Sequence, residues 1–379
     1  MKVFLKSVYF KLFSIIFILC LGILVYSNSF HCAFHFDDEL SITKNTFIRN
    51  IQDLGTIWNF LPRRFILYLS IALNYHFNGL DVVGYHVFNL GVHLITAVLV
   101  WWLTLLTLST PVFQGVALVK KNTSKKFSQE AQSDSIAQHA SLIALLVGLL
   151  FVSHPLQTES VTYIVQRAAS MVTLFYVASL SCYIKSRLLQ QNKPGSVSAK
   201  FYYMGALTIA VLAMFTKETA ITLPLMILLY EFFFFKSKGR FNWRYVSPFL
   251  LTLLIIPLTI FFTESASALA QRGVLIEATP EISSWHYLLT QFNVIVTYIR
   301  LLIIPLNQNL DYDFAVTKSF FEWPTLISFL FLISILLATK QLFQKYKLLS
   351  FSILWFFITL LPESSVLPIR SPIWRRVQQ

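Results

Sequence analysis

The sequence predicts an all-α polytopic membrane protein. Three observations carry that reading: 56% of the 379 residues are hydrophobic against 12% charged, apolar runs of helical length recur along the chain, and basic residues gather in alternate connections between those runs. A soluble protein of this size would need far more polar surface.

The first element is residues 9–28, almost wholly apolar and preceded by Lys2 and Lys6, with Lys11 at its start. That pattern predicts an uncleaved anchor entering from the cytoplasm, because the small-residue cleavage site of a signal peptide is unconvincing between Ser27 and Ala33. Further crossings are expected at 84–108, 140–156, 161–184, 201–216, 219–235, 246–263, 323–339 and 349–361. With external or re-entrant loop helices, the bundle is expected to hold about nine to eleven membrane helices, the shorter ones needing protein around them. Residues 285–305 are apolar but carry His286, Gln291, Asn293, Tyr298 and Arg300. Counting them as a full crossing would put Lys340, Lys345 and Lys347 outside, so a re-entrant or interfacial helix is expected there.

Formal net charge is +13. More than half of the 30 Lys and Arg residues fall in short connections assigned to the cytoplasm, including Lys120-Lys121, Lys125-Lys126, Lys236 to Arg244 and Lys340 to Lys347, whereas the acids lie mostly on the other side. Positive-inside topology accounts for the basic balance, and no nucleic-acid partner is needed to explain it. Cys20, Cys32 and Cys182 have neither the pairing of a disulfide framework nor zinc-ligand spacing. No nucleotide-binding glycine loop and no tetratricopeptide repeat is found. The stretches 120–139 and 191–195 read as cytoplasmic connectors.

The external polar residues form a more selective pattern. Asp37 and Asp38 open the first outer loop, where adjacent carboxylates suit base chemistry, a divalent cation or the orientation of an acceptor hydroxyl; a solvated acidic loop is the plain alternative. Pro62-Arg63-Arg64 leads into an amphipathic stretch, and His86, Asn89 and His93 then share one helix face at offsets of three and four. They suit buried bundle contacts or a polar ligand, and their spacing is not that of a zinc protease. His154-Pro155 precedes Glu159, Tyr163 and Arg167, which on one continuous helix would place a carboxylate, a phenol and a guanidinium around one cavity. Arg167 would there hold a phosphate or pair internally with Glu159. Lys217-Glu218 interrupts two apolar runs, as a phosphate site or a charged hairpin. Arg300 and the Asp311-Tyr312-Asp313 cluster complete the outer set. Trp58, Tyr85, Trp285 and Tyr312 are suited to sugar stacking or to interfacial anchoring.

In order and spacing these motifs resemble the membrane domain of tetratricopeptide-containing O-mannosyltransferases, within the GT-C class that uses polyprenyl-phosphate sugars. The resemblance runs from about 34 to 369, through Phe36-Asp37-Asp38, Gly84-Tyr85-His86 with Asn89 and His93, His154-Pro155 with Glu159 and Arg167, Lys217-Glu218, and Pro362-Glu363-Ser364-Ser365. It implies a GT-C-like bundle over 1–369 and transfer of a sugar, such as mannose, from a polyprenyl-phosphate donor to an acceptor hydroxyl on the non-cytoplasmic face. In that scheme Asp37, or less favourably Asp38, is the general base. Arg167, Lys217 and Arg300 stabilise the phosphate leaving group, His154 and Glu159 organise the pocket, and His86, Asn89, His93, Glu218 and Glu363 complete the substrate-binding set. No cofactor is firmly implied and the metal ligands stay unassigned, a divalent cation being one option. Implied partners are the lipid-phosphate sugar, a protein or glycan acceptor, the bilayer, and a separate repeat-containing subunit.

After Ile369 the chain departs from the family pattern: a His-Arg motif leading toward the repeats is expected, whereas residues 370–379 begin Arg370-Ser371-Pro372. That divergent tail, with no repeat domain in the sequence, reads as a shortened frame, a split gene or a degenerate copy. A bacterial plasma membrane is the expected location, with the endoplasmic reticulum second. A lipid-linked-sugar transporter or flippase, or an inactive lipid- or protein-binding subunit, is the alternative function. A transporter should show broken helices around a midplane site, whereas the candidate residues gather at outer helix ends.

Overall fold

The computed structural model describes residues 7–113, 126–235, 241–263, 282–309, 312 and 314–364, and of 126–138 the backbone alone. The protein is an all-α polytopic membrane bundle. Seven segments among the described residues are long and apolar enough to cross a membrane: Val8–Tyr26, Val82–Leu108, Ile164–Asn192, Val197–Met214, Glu218–Phe235, Trp243–Thr263 and Trp323–Lys345. An eighth is a bent pair, His139–Ser153 with Pro155–Thr162, broken by 51°, and Lys347–Leu360 is a shorter apolar helix. Eight of the nine expected crossings thus have a qualifying counterpart among the described residues, counting the bent pair as one, while the ninth, 349–361, is matched only by the shorter helix, so the count falls below the nine to eleven expected.

Helix α1 (Val8–Tyr26) is capped by the Ser7 hydroxyl, which accepts from the Phe10 N–H at 3.1 Å. An outer segment follows, with α2 (Leu54–Phe60) and α3 (Phe65–Asn78). In α3 the apolar positions Leu67, Ile71 and Ala72 recur at helical spacing and bury against Ile42, Ile57, Phe60 and Ile164. Helix α4 (Val82–Leu108) returns through the membrane, and α5 (Lys126–Ser153) comes back outward. Close packing of α1, α4 and α5 rests on small residues: a Cβ on Gly22 would run into Leu94 and Val152, and one on Gly148 into Ile18.

The break after α5 has a local cause. Pro155 lacks an N–H and disfavours helical geometry at His154, which sits in extended backbone and caps the next turn, Nδ1 accepting from the Leu156 N–H at 3.3 Å. A short α6 (Thr158–Thr162) stops at Tyr163, again extended, and a tight turn at Ile164–Gln166 opens α7 (Arg167–Asn192). Glu159, Tyr163 and Arg167 therefore do not share a face of one continuous helix, correcting the expectation from their spacing.

Helix α8 (Val197–Met214) packs along α7, where the Ser179 hydroxyl donates to the Ala206 carbonyl at 2.8 Å. Next come α9 (Leu223–Tyr230), α10 (Trp243–Leu251) and α11 (Ile255–Thr263). Toward the C-terminal end of α7 and just after α9, Arg187 and Glu231 form a buried ion pair at 2.6 Å, joined by the Tyr183 hydroxyl at 2.9 Å. Helix α12 (Ser284–Ile303) is not among the segments that qualify as crossings. It packs on α13 (Trp323–Lys345), which pairs with α14 (Lys347–Leu360). Asp311, Asp313, Ser365, the tail at 370–379 and the basic residues at 120–125 and 236–240 lie outside the described residues.

Candidate active site

The outer helix ends carry two neighbouring clefts with a common wall. The first, about 230 Å³, is lined by Gln157, Glu159, Ser160, Gln166 and Ser170, with His93 and Phe151 at its apolar side. The second, about 290 Å³, holds Lys217 and Glu363 beside Tyr176, Thr222, Trp355 and Thr359. Ala169 and Thr173 of α7 line both. Their small side chains leave the space, so one turn of α7 separates a carboxylate-bearing compartment from a cation-bearing one.

Lys217 owes its place to a clasp between two turns. The Ile66 N–H donates to the Phe215 carbonyl at 2.9 Å, and Arg63 and Arg64 both bond Glu218, Arg64 through Nε and Nη2 at 2.8–3.1 Å. Glu218 is thereby neutralised by two guanidinium groups, and the adjoining Lys217 points instead to Glu363, Nζ to Oε1 at 2.7 Å. Arg63 and Arg64 were visible in the sequence only as the start of an amphipathic stretch. Their role in holding Glu218 needed the fold.

The acidic side is organised around Tyr163, whose ring stacks on His35 at 6.0 Å and whose hydroxyl accepts from the Asp37 N–H at 3.0 Å. Burial raises its phenol above the usual value, and the charges of Asp37, Asp38 and Glu159 all reach it. Asp38 is fully buried and spans the helix break: Oδ1 accepts from the Val165 N–H at 2.7 Å and Oδ2 from the His35 N–H at 3.2 Å. Its carboxyl is pushed above the ordinary range chiefly by burial. Asp37 is half-buried, and Glu159 accepts from Gln166 Nε2 at 2.8 Å. The phenol of Tyr298 is raised, mainly by burial and then by Glu363, Tyr287 and Glu159, so α12 brings a hydroxyl near carboxylates of both clefts.

Other expected site residues belong to the protein interior. Arg167 is completely buried: Nε donates to Asn89 Oδ1 at 2.7 Å, Nη1 to the Ser70 carbonyl and Nη2 to the Tyr85 carbonyl, each at 3.2 Å, and the Phe88 ring lies 4.2 Å away. It neither pairs with Glu159 nor faces a cleft, which corrects both readings of its role. Asn89 spends its amide on the Ile164 carbonyl at 3.3 Å. His86 donates from Nε2 to the Cys32 carbonyl at 2.9 Å. His93 donates from Nε2 to the Val152 carbonyl at 3.2 Å and shows only its ring to the first cleft. Tyr85 is buried, its hydroxyl donating to the Gly79 carbonyl, so it is no sugar-stacking surface. His154 bonds the Leu302 carbonyl through Nε2 at 3.2 Å, which fixes Nε2–H as its donor. Arg300 is exposed and donates to the Leu306 carbonyl at 3.3 Å, away from both clefts. Trp58 packs on Phe65 and Phe215, and Tyr312 bonds Asn307. Among the described residues, no group of three or more His, Cys, Asp or Glu side chains is arranged to hold a metal ion.

The chain is distantly but consistently homologous to a set of O-mannosyl-transferases. It is 27% identical over 215 residues to protein O-mannosyl-transferase TMTC4 of Mus musculus, a match covering 53% of this chain and 27% of that protein. With protein O-mannosyl-transferase tmtc2 of Xenopus laevis it shares 29% identity over 234 residues, 57% of this chain and 23% of the relative. With protein O-mannosyl-transferase F38B6.6 of Caenorhabditis elegans it shares 24% over 321 residues, 81% and 40%. The matches therefore span 23% to 40% of the length of these curated relatives. No protein-family model matches it, and no solved structure does. The relatives are animal proteins, which overturns the expected bacterial plasma membrane; lack of a repeat region in the sequence carries no information about the compartment.

Proposed function

We propose that the chain is a polyprenyl-phosphate-sugar-dependent glycosyltransferase acting at the outer clefts, in the endoplasmic-reticulum membrane with the clefts facing the lumen. The observation that carries this reading is the division of charge across the shared wall of α7: Lys217 in one cleft, Glu159 in the other, and Asp37 beside Tyr163. A lipid-phosphate donor places its anionic group against Lys217 and its apolar chain along Val172, Tyr176 and Val177. From Ala169 to Val177 that wall descends about 12 Å along α7 at 1.5 Å per residue, toward hydrocarbon. The homology to O-mannosyl-transferases supports mannose as the transferred sugar and a protein hydroxyl as the acceptor.

In this reaction Asp37 takes the proton of the acceptor hydroxyl as that oxygen attacks the anomeric carbon. The bond from that carbon to the phosphate oxygen breaks, and Lys217 stabilises the departing lipid phosphate. Asp38 is poorly placed to act as the base, since it is fully buried and both its oxygens are committed to backbone N–H groups. It holds the loop that presents Asp37. The phosphate role suggested for Arg167 and Arg300 passes to Lys217, with Arg63, Arg64 and Glu218 fixing its turn.

The test is a panel of radiolabelled polyprenyl-phosphate sugars offered to the full chain in lipid, with and without peptide acceptors. Turnover of one donor is expected, reduced on the order of 10²- to 10⁴-fold by Asp37→Asn. Turnover that survives Asp37→Asn would remove Asp37 as base, and binding of every donor without turnover by folded wild-type protein would point to the non-catalytic alternative.

A further inference from the structure

The Lys217–Glu363 pair sits in an open cleft, where a buried structural ion pair would not. The two side chains are 20% and 42% exposed, and the cleft around them has room for a phosphate-sized group. Partly exposed pairs contribute little net energy and exchange readily, and a lysine ammonium accepts any anion that reaches it. A lipid monophosphate, with more charge and three free oxygens, outcompetes a single carboxylate at such a point, whereas the phosphodiester of a lipid-phosphate sugar carries one charge over two free oxygens and competes with the carboxylate on equal terms until the sugar leaves.

The backbone of Glu363 has a second function. Its carbonyl accepts from the Tyr287 hydroxyl at 2.8 Å, near the start of α12, while the Leu302 carbonyl near the other end of α12 accepts from His154 at 3.2 Å. Helix α12 is thus tied to a rim residue of the cation-bearing cleft at one end, and at the other to the turn that carries the lining of the carboxylate-bearing cleft. Tyr298, between these ties, feels the carboxylates of both Glu363 and Glu159.

We infer that Glu363 is an internal stand-in for a ligand phosphate: an incoming lipid phosphate displaces its carboxylate from Lys217, and that displacement loosens the tie by which Glu363 holds the start of α12. No covalent step is involved; one anion replaces another on the same ammonium. The inference rests on the reading that Lys217 receives the phosphate of the donor, and adds to it a built-in competitor that couples phosphate arrival to the helix tied to Glu363 and His154.

The full chain in lipid nanodiscs is titrated with farnesyl phosphate, and with farnesol as the neutral control, for wild type, Glu363→Gln, Lys217→Gln and the double variant. Glu363→Gln is expected to bind farnesyl phosphate about fivefold more tightly, the equivalent of releasing a pair worth about 1 kcal/mol, with farnesol unchanged. Lys217→Gln should abolish the preference for the phosphate in both backgrounds. Amide exchange in 284–303 should rise when farnesyl phosphate is added to wild type, and should already be raised in Glu363→Gln. Unchanged or weaker binding by Glu363→Gln, with Lys217→Gln still losing it, overturns the stand-in while leaving Lys217 as the phosphate partner. Normal competition without any change of exchange in 284–303 overturns the coupling to α12. No preference for farnesyl phosphate over farnesol in any variant removes the phosphate site itself, and the stand-in with it.

Discussion

Two ion pairs of the same chemistry sit at opposite ends of the bundle. At one end Arg187 and Glu231 are 7% and 2% exposed, the Tyr183 hydroxyl adds a third bond, and the Tyr245 ring covers the guanidinium at 4.2 Å. At the outer end Lys217 and Glu363 meet in a cleft with no such cover. The difference separates an ion pair that serves folding from one that can trade partners. Once both charges are enclosed, losing either strands the other, whereas an open pair loses only a modest attraction that water partly replaces.

The largest effect that sharpens this comparison is expected at the enclosed end. Arg187→Ala leaves Glu231 charged and buried, and should lower stability by about 3–5 kcal/mol in thermal or denaturant unfolding of detergent-purified protein. A loss no greater than that of Lys217→Ala would erase the distinction drawn here. Arg167 is the intermediate case, since it is enclosed with no carboxylate bonded to it among the described residues, its donors going to Asn89, Ser70 and Tyr85. Arg167→Met should cost about 1.5–3 kcal/mol in the same measurement, the range for hydrogen bonds to a charged group. The affinity of the folded fraction for farnesyl phosphate should not change. If affinity fell while stability held, Arg167 would belong with the exchangeable outer charges.

Arg167 also marks where the sequence stops being legible. Apolar run length and the placement of Lys and Arg are local signals, and they located the crossings because the hydrocarbon thickness sets a length that each segment must meet by itself. The reading of 285–305 as something other than a crossing rested on the same kind of signal, polar residues set along an apolar run, and α12 is indeed outside the qualifying spans. The fate of a guanidinium depends on whether Asn89 and two carbonyls from other elements converge on it, and no spacing within residues 158–167 encodes that. The pairing of Lys217 with Glu363 was equally hidden, although both residues were singled out, because it depends on how the far end of α14 meets the turn after α8. One missed signal was present: Ala169, Ser170 and Thr173 form a stripe of small residues on α7, where side-chain volume is too low to fill the space against a neighbouring helix.

Lys217→Gln should change stability by less than about 1 kcal/mol, the range of partly exposed pairs, in contrast to its full effect on phosphate preference. Equal losses of stability and binding would mean that the outer pair is structural like the inner one.

The smallest expected effect concerns the two adjacent aspartates, which repeat the comparison within one loop. Asp38 is enclosed and accepts from Val165 and His35, whereas Asp37 is only half-buried. Because the folded state raises the carboxyl of Asp38 above its usual value of 3.8, chiefly through burial, its neutral form favours folding. Its contribution is fully present below pH 3.8 and is lost as pH rises through the raised folded value. Asp38→Asn fixes the side chain as neutral, so the wild-type melting temperature should fall relative to that of the variant across this window. The amide can accept from only one of the two N–H groups well, which offsets the whole variant curve by about 1 kcal/mol without changing its slope. Parallel curves would show that burial and the two hydrogen bonds cancel, and a wild type that gains on the variant as pH rises would show that the hydrogen bonds to the carboxylate outweigh burial. That last result would return Asp38, ionised and stable at neutral pH, to equal standing with Asp37 as a base.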